Sequence, residues 1–174
     1  QGSGGIGGEA TVTNQGGSLL AFGEDSVVEL SNASKVVGGS LIAQNSGIIR
    51  GNGGTVKDVT ITGPMEIDHG NLTLTGLVTN NGTTTFVDTN GSSIFIGATL
   101  AGNNKMNLTG SGVISLSNPG DHIRANDHNM TFVHGTTIEG FGGVDTLNHT
   151  FAIDNRGTIV ANVKGETLLV DPGT

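Results

Sequence analysis

Apolar residues occur along this chain in short bursts separated by polar residues and glycine. Between Asn155 and Pro172, two such bursts are Ile159-Val160-Ala161 and Leu168-Leu169-Val170, and each follows shortly after a glycine. Helices usually need at least about 10 residues of periodic pattern, so bursts of this length indicate strands. The pattern therefore predicts an all-β chain made of many short strands.

The strand pattern repeats along the chain, although imperfectly. Six segments align by eye on a first apolar position, namely Leu19, Leu41, Leu72, Ile94, Phe132 and Phe151. In residue number, the steps between these positions are 22, 31, 22, 38 and 19, and the next step, to Leu168, is 17. We interpret the step of 38 as two coils, and the step of 31 as one coil with an insertion around TVKDVTITGPMEIDHG. The repeat length is therefore about 20 residues, in the range of solenoid proteins.

A repeat of about 20 residues with short strands predicts a solenoid, because one coil cannot bury its own apolar side. Irregular coil lengths favour a right-handed parallel β-helix of roughly eight coils over leucine-rich or hexapeptide solenoids. Glycine or asparagine is expected at positive-φ corners between the walls. The candidate corners are Asn80-Asn81-Gly82, Asn90-Gly91, Asn103-Asn104 and Asn155-Arg156-Gly157.

The interior of such a solenoid is expected to contain stacked rows of aliphatic side chains. The C-terminal residues predicted to point inward are Ile138, Ile153, Ile159, Leu168 and Val170. The chain has six Phe, no Trp and no Tyr, which suits a thin, layered core. Residues 9–174 are predicted to form a single β-helix domain, and residues 1–8, QGSGGIGG, a flexible glycine-rich leader.

Net charge and hydropathy exclude several classes of partner. The net charge is −8, and the seven Lys and Arg residues form no basic cluster, so we expect no nucleic-acid partner. No apolar run approaches the roughly 18–20 residues that span a bilayer, so we expect a soluble chain without membrane insertion. The chain has no Cys, so disulfide bonds do not stabilise the fold.

The C-terminal part resembles a family of bacterial surface repeats. The pattern N-x-G-T-I-x-A-N-x-x-G-x-T-L-x-V-D-P, which runs here from Asn155 to Pro172, is similar to repeats in the right-handed β-helical passenger regions of autotransporters and filamentous-haemagglutinin-type adhesins. The likeness covers about Ile94 to Thr174 and is looser before it. It implies an exported, rod-like structural or adhesive module at a bacterial cell surface or in an extracellular fibre, with a host or matrix glycan or protein as a possible ligand. It implies no catalytic residue.

Three Asp-His steps are the main candidates for metal or acid–base chemistry: Asp68-His69, Asp121-His122 and Asp127-His128. The segment Gly120 to His134 is the densest polar cluster. Neighbouring residues on a strand point to opposite faces, so these steps favour turns over ligand pairs. We predict no metal, cofactor-binding or catalytic residue in this chain.

A polysaccharide lyase or hydrolase, or a tailspike-like glycan binder, is the alternative function, because such proteins use the same solenoid. Their sites need clustered carboxylates, often with a basic residue, and usually aromatic platforms for sugar rings. The candidate residues are Asp121, Arg124 and Asp127 in one segment, with Glu139 and Asp145 on neighbouring coils. Because the Phe residues are needed in the core, we predict that the chain is not an enzyme.

A third class, ice binding, needs flat arrays of threonine on one face. The candidates are Thr11-Val-Thr13, Thr60-Ile-Thr62, Thr73-Leu-Thr75 and Thr83-Thr-Thr85. Their spacing does not match the repeat, so we expect no stacked ladder.

Both ends of the solenoid are expected to expose strand edges, since neither QGSGGIGG nor GETLLVDPGT supplies a cap. The sequence therefore predicts a homo-oligomer, or a longer parent rod, built through these ends.

Overall fold

The structure is a computed structural model that describes residues 3–6, 8–31, 33–97, 104–127, 129–146 and 150–173. It forms a parallel β-helix with three walls, in which strands of successive coils pair in parallel. Of the predicted features, His128, Asn103 and part of the leader lie outside the described residues. Among the described residues, no helix is long and apolar enough to cross a membrane.

Each wall is a stack of short strands. The first wall contains β1 (Ser3–Ile6), β4 (Val27–Ser31), β7 (Ile48–Asn52), β10 (Met65–Ile67), β13 (Thr83–Phe86) and β20 (Thr158–Val160). The second wall contains β2 (Thr11–Thr13), β5 (Lys35–Val37), β8 (Thr55–Lys57), β11 (Asn71–Thr75), β14 (Ser93–Gly97) and β21 (Leu168–Val170). Two longer strands, β16 (Val113–Ala125) and β18 (Thr137–Asp145), bend from the first wall into the second. The third wall contains β3 (Ser18–Phe22), β6 (Ser40–Gln44), β9 (Thr60–Thr62), β12 (Leu77–Asn80), β15 (Lys105–Thr109), β17 (Met130–His134) and β19 (Phe151–Asn155).

Seven coils have all three walls, and β20 and β21 supply two walls of an eighth. The prediction of an all-β parallel β-helix of roughly eight coils is therefore confirmed. The first strand, β1, pairs with β4 and lies within the segment that the sequence analysis assigned to the leader. Its Ser-Gly-Gly-Ile sequence can form a strand because ladder hydrogen bonds come from the backbone.

The core is a set of columns in which apolar side chains stack from coil to coil. One column on the second wall runs through Leu72, Ile94, Ile123 and Val144, each at most 1% exposed. Alternate residues of each strand point inward, so the three walls together enclose a continuous and mainly apolar interior. Successive coils therefore stabilise one another, and no coil has a core of its own.

Four of the six steps in the predicted repeat do not join equivalent positions. Leu19 pairs with Leu41 on the third wall, and Leu72 pairs with Ile94 on the second wall, so both steps of 22 are true coils. The steps of 31, 38 and 17 instead join positions on different walls: Leu41, Phe132 and Phe151 lie on the third wall, whereas Leu72, Ile94 and Leu168 lie on the second. The step of 19 stays on the third wall but is two residues short of a coil, since Phe132 pairs with Ile153. The presumed insertion around TVKDVTITGPMEIDHG consists of the ordinary strands β8, β9 and β10.

The predicted inward residues of the C-terminal coils are covered to different degrees. Ile138 is fully buried, whereas Ile153, Ile159 and Leu168 are partly buried and pack against the core. Val170 is uncovered and 46% exposed. Val170 is in register with the buried Val144, but no described strand covers it on the opposite side.

Glycine at the predicted corners serves two different purposes. Gly91 has a φ of 86°, as predicted. Gly82 and Gly157 do not have positive φ; a Cβ at these positions would collide with the carbonyl oxygens of Gly63 and Thr136, respectively, in the preceding coil. At these two corners the coils approach so closely that any side chain is excluded.

Candidate functional site

The polar segment Gly120 to His134 divides between the inside and the outside of the solenoid. On the second half of β16, Asp121 and Ile123 point inward and are at most 1% exposed, whereas His122 and Arg124 lie on the outer surface. Side chains alternate along a strand, so Asp121 and His122 face opposite sides. An Asp-His step of this kind does not act as one site.

An outer cluster joins His122 and Arg124 to Asp145 of the next coil. Arg124 is in register with Asp145, and its Nε donates to Asp145 Oδ1 at 2.9 Å. His122 Nδ1 lies 2.8 Å from Asp145 Oδ2, without the alignment of a hydrogen bond. Gly143 stands opposite His122, and a Cβ there would lie 2.5 Å from both His122 Nδ1 and Asp145 Oδ2. Glycine at this position therefore makes the three-residue cluster possible.

Asp121 organises a corner of the backbone. It is fully buried, and its carboxylate accepts hydrogen bonds from the N–H groups of Ser117 at 2.8 Å and Ser92 at 3.3 Å. The pairing of β16 with β18 shifts register between Ser117 and His122, where the chain turns from the first wall into the second. The carboxylate binds the N–H groups released by this irregularity, which makes Asp121 a structural residue.

The remaining carboxylates of the predicted enzyme site lie apart from this cluster. Glu139 is on the outer surface of the first wall, where it accepts a hydrogen bond from Asn162 Nδ2 at 3.1 Å. Asp127 is exposed and follows the end of β16. Of the five predicted residues, the structure brings only Arg124 and Asp145 into contact, and sequence reasoning had not paired His122 with them.

The first Asp-His step is a surface pair. His69 adopts a φ of 47° and contacts the carboxylate of Asp68, whose hydrogen bond raises the pKa of the exposed imidazole. Asp68 also lies 3.6 Å from Arg50, which pairs with Glu66 at 2.7 Å. Within the described residues, no group of three or more His, Asp or Glu side chains is placed to hold a metal ion.

His134 is a buried titratable group that the sequence analysis did not single out. Its ring is on the inner side of β17 and is fully buried, with the ring centroid 5.7 Å from that of Phe132. Nδ1 lies 2.9 Å from Asn155 Oδ1 in the next coil, whereas Nε2 is buried and has no hydrogen-bond partner. Burial lowers the pKa of His134, and the hydrogen bond with Asn155 offsets only part of this effect.

The four Thr-x-Thr pairs lie on all three walls, in line with the prediction that they form no common ladder. A different column of hydroxyl groups does form on the outer surface of the third wall: Ser18, Ser40, Thr60, Thr79 and Thr109. Within this column, the Thr79 and Thr109 hydroxyls form a close pair at 3.2 Å. The column was missed because its members come from differently spaced segments.

The two ends of the solenoid expose parts of the core. Hydrophobic residues that are only partly covered occur in the first coils and in the last coils: Ile6, Val12, Leu19, Val28, Ile153, Ile159 and Leu168. In addition, Leu169 is 47% and Val170 46% exposed. Among the described residues, the outermost strands of both ends pair on one side only. Within the described residues, the partly covered part of the core therefore lies towards the two ends.

Comparisons of the chain with protein families, with curated proteins and with solved structures give no match. The strand pairing defines the chain as a parallel β-solenoid.

Proposed function

We propose that this chain is a structural or adhesive β-solenoid module of a bacterial cell-surface protein or extracellular fibre, and that its ends pair with further coils. The proposal draws on the resemblance of Asn155 to Pro172 to autotransporter and filamentous-haemagglutinin-type repeats. The observation that carries it is the partly covered core at both ends, since exposed apolar side chains and unpaired strand edges favour association.

In the purified protein, the partner at each end is a second copy of the chain, stacked head to tail. Both ends offer inner apolar residues on matching walls, such as Ile6 and Ile159 on the first wall, and Val12 and Leu168 on the second. Head-to-tail contacts of this kind propagate into a fibre.

Light scattering after size-exclusion chromatography tests this assembly. The mean mass of the wild-type chain is expected to rise across a concentration series, whereas Val170→Lys stays monomeric because it places a charge on the C-terminal edge. Leu77→Lys is the matched control, since Leu77 is 52% exposed on the outer surface of the third wall, away from the ends. A wild-type chain that remains strictly monomeric at high concentration would rule out self-assembly.

A polysaccharide-processing enzyme is the second candidate, and the outer cluster of His122, Arg124 and Asp145 is the observation that favours it. The cluster combines a carboxylate with two basic groups. Catalysis of glycoside hydrolysis generally needs a second carboxylate across the scissile bond. Asp121, the carboxylate nearest in sequence, is buried and bound to backbone N–H groups.

We expect no turnover when the protein is incubated with a panel of acidic and neutral polysaccharides. The readouts are new reducing ends and unsaturated products. Robust turnover that Asp145→Asn abolishes, with an unchanged circular dichroism spectrum, would contradict the structural assignment. Asp145→Asn is a better probe than Asp121→Asn, because loss of the Asp121 carboxylate charge would disturb the corner that it stabilises.

A further inference from the structure

His134 lies at the junction between the sixth and seventh coils. It is in register with Leu108 of the fifth coil on one side and with Asn155 of the seventh coil on the other. Its column therefore contains an apolar neighbour, an imidazole and an amide, all on the third wall. Among the described residues, the seventh coil and the partial eighth coil follow this junction.

The hydrogen bonds around His134 determine which ring nitrogen carries the hydrogen. Asn155 Oδ1 accepts a hydrogen bond from Gly157 N–H at 3.2 Å, and this fixes the orientation of the amide. The same oxygen can only accept from His134, so Nδ1 is the donor of the neutral imidazole. A second proton must therefore bind to Nε2, which is buried and has no acceptor.

The surroundings of His134 offer no compensating charge. The charged side chains on the neighbouring strands β15, β18 and β19, and just beyond β19, are Lys105, Glu139, Asp145, Asp154 and Arg156, and all five lie on the outer surface. There Asp154 pairs with Arg156 at 2.6 Å, Asp145 pairs with Arg124 at 2.9 Å, and Glu139 accepts a hydrogen bond from Asn162. Asp121 of β16 points inward, but its carboxylate accepts hydrogen bonds from the N–H groups of Ser92 and Ser117. Within the described residues, burial and the Asn155 hydrogen bond are the only resolved influences on the pKa of His134.

We propose that His134 makes this junction acid-sensitive, so that acidification loosens the seventh and eighth coils and with them the C-terminal edge. A proton on Nε2 would create a buried charge and an unpaired buried donor, both of which are costly. In a solenoid each coil contacts only its neighbours, so the two coils beyond the junction can open while the first six remain folded. The consequence for assembly, namely release of a stacked partner at acidic pH, rests on the proposed function.

The direction of the pH dependence follows from the lowered pKa. The unfolded segment has the ordinary histidine pKa of about 6.5 and binds a proton more readily than the folded one. The contribution of neutral His134 to the stability of the junction is therefore fully present above about pH 6.5. It falls as the pH is lowered, until the pH passes the pKa of His134 in the folded state. Within that window, one proton changes the opening equilibrium by up to about tenfold for each pH unit.

Hydrogen–deuterium exchange at pH 7.5 and pH 5.5 tests whether the junction at His134 is acid-sensitive. After correction for intrinsic rates, peptides from residues 137–173 are expected to exchange several-fold faster at the lower pH, and peptides from residues 27–97 to be unchanged. His134→Gln should remove the difference, whereas His69→Gln, at an exposed position, should retain it. The proposal would be overturned if exchange in His134→Gln were accelerated at pH 5.5 as much as in the wild-type chain. It would also be overturned if the acceleration were uniform along the whole chain.

If His134→Gln does not fold, nuclear magnetic resonance of the wild-type chain provides a second test. The pKa of the His134 ring is expected to lie below the ordinary histidine pKa. A pKa at or above the ordinary value would refute the proposal of an acid-sensitive junction. A chain that is monomeric at every pH would contradict the assembly proposal and leave the exchange result intact, so the two failures can be told apart.

Discussion

Replacing Ile96 by aspartate is expected to cost about 4 kcal/mol or more of folding free energy. Ile96 is fully buried in the fifth coil, between Leu74 of the fourth coil and Ala125 of the sixth. The substitution removes an aliphatic side chain and places an unpaired carboxylate in a dry interior. Because the position is central, both halves of the solenoid lose their shared interface. Urea unfolding followed by circular dichroism measures the loss.

Two further aspartate variants calibrate this effect. Val87→Asp, at a 43% exposed position outside the core, should change stability by no more than about 0.5 kcal/mol. Ile159→Asp should give an intermediate loss, because Ile159 is only partly buried near the open end. Equal losses for Ile96→Asp and Val87→Asp would contradict the assignment of inner and outer faces.

Replacing Gly82 by alanine is expected to destabilise the protein by about 3 kcal/mol, a cost typical of overpacking. The new Cβ would collide with the carbonyl oxygen of Gly63, which is backbone and cannot rotate away. Relief requires that two coils separate, and their hydrogen bonds lengthen as a result. Thermal unfolding of the purified variant measures the loss as a lowered melting temperature.

Gly5→Ala is the matched control, because a Cβ at Gly5 has no neighbour within 4 Å and its φ is not positive. Gly5 lies on β1, where alanine should change stability by less than about 1 kcal/mol. A Gly82→Ala protein as stable as Gly5→Ala would show that the coils are not as closely spaced at this corner as the structure places them.

The fold was predictable from the sequence because its strands are short and its apolar bursts recur with the period of a solenoid. The exact register was not, since strands of all three walls have the same apolar pattern. Leu72 and Phe132 look equivalent in sequence, yet one lies on the second wall and the other on the third. Single-sequence pattern reasoning finds strands but does not tell one wall from another.

The local exceptions have physical causes that a pattern does not contain. Val170 has the apolar character and register of an inner residue, but its exposure depends on whether another strand covers it. Asp121 was assigned to a candidate site because it is charged, yet the irregularity in β16 turns it inward to bind backbone N–H groups. Conversely, His122 and Asp145 meet only because adjacent coils stack in register.

Electron microscopy of the purified chain across a concentration series tests the central claim most directly, namely that the open ends take up further coils. One molecule of eight coils, at about 4.8 Å per coil, is about 38 Å long. We predict filaments that lengthen with concentration and have an axial spacing of about 4.8 Å, and no filaments for Val170→Lys. Uniform particles with the length of a single molecule at every concentration would contradict the claim.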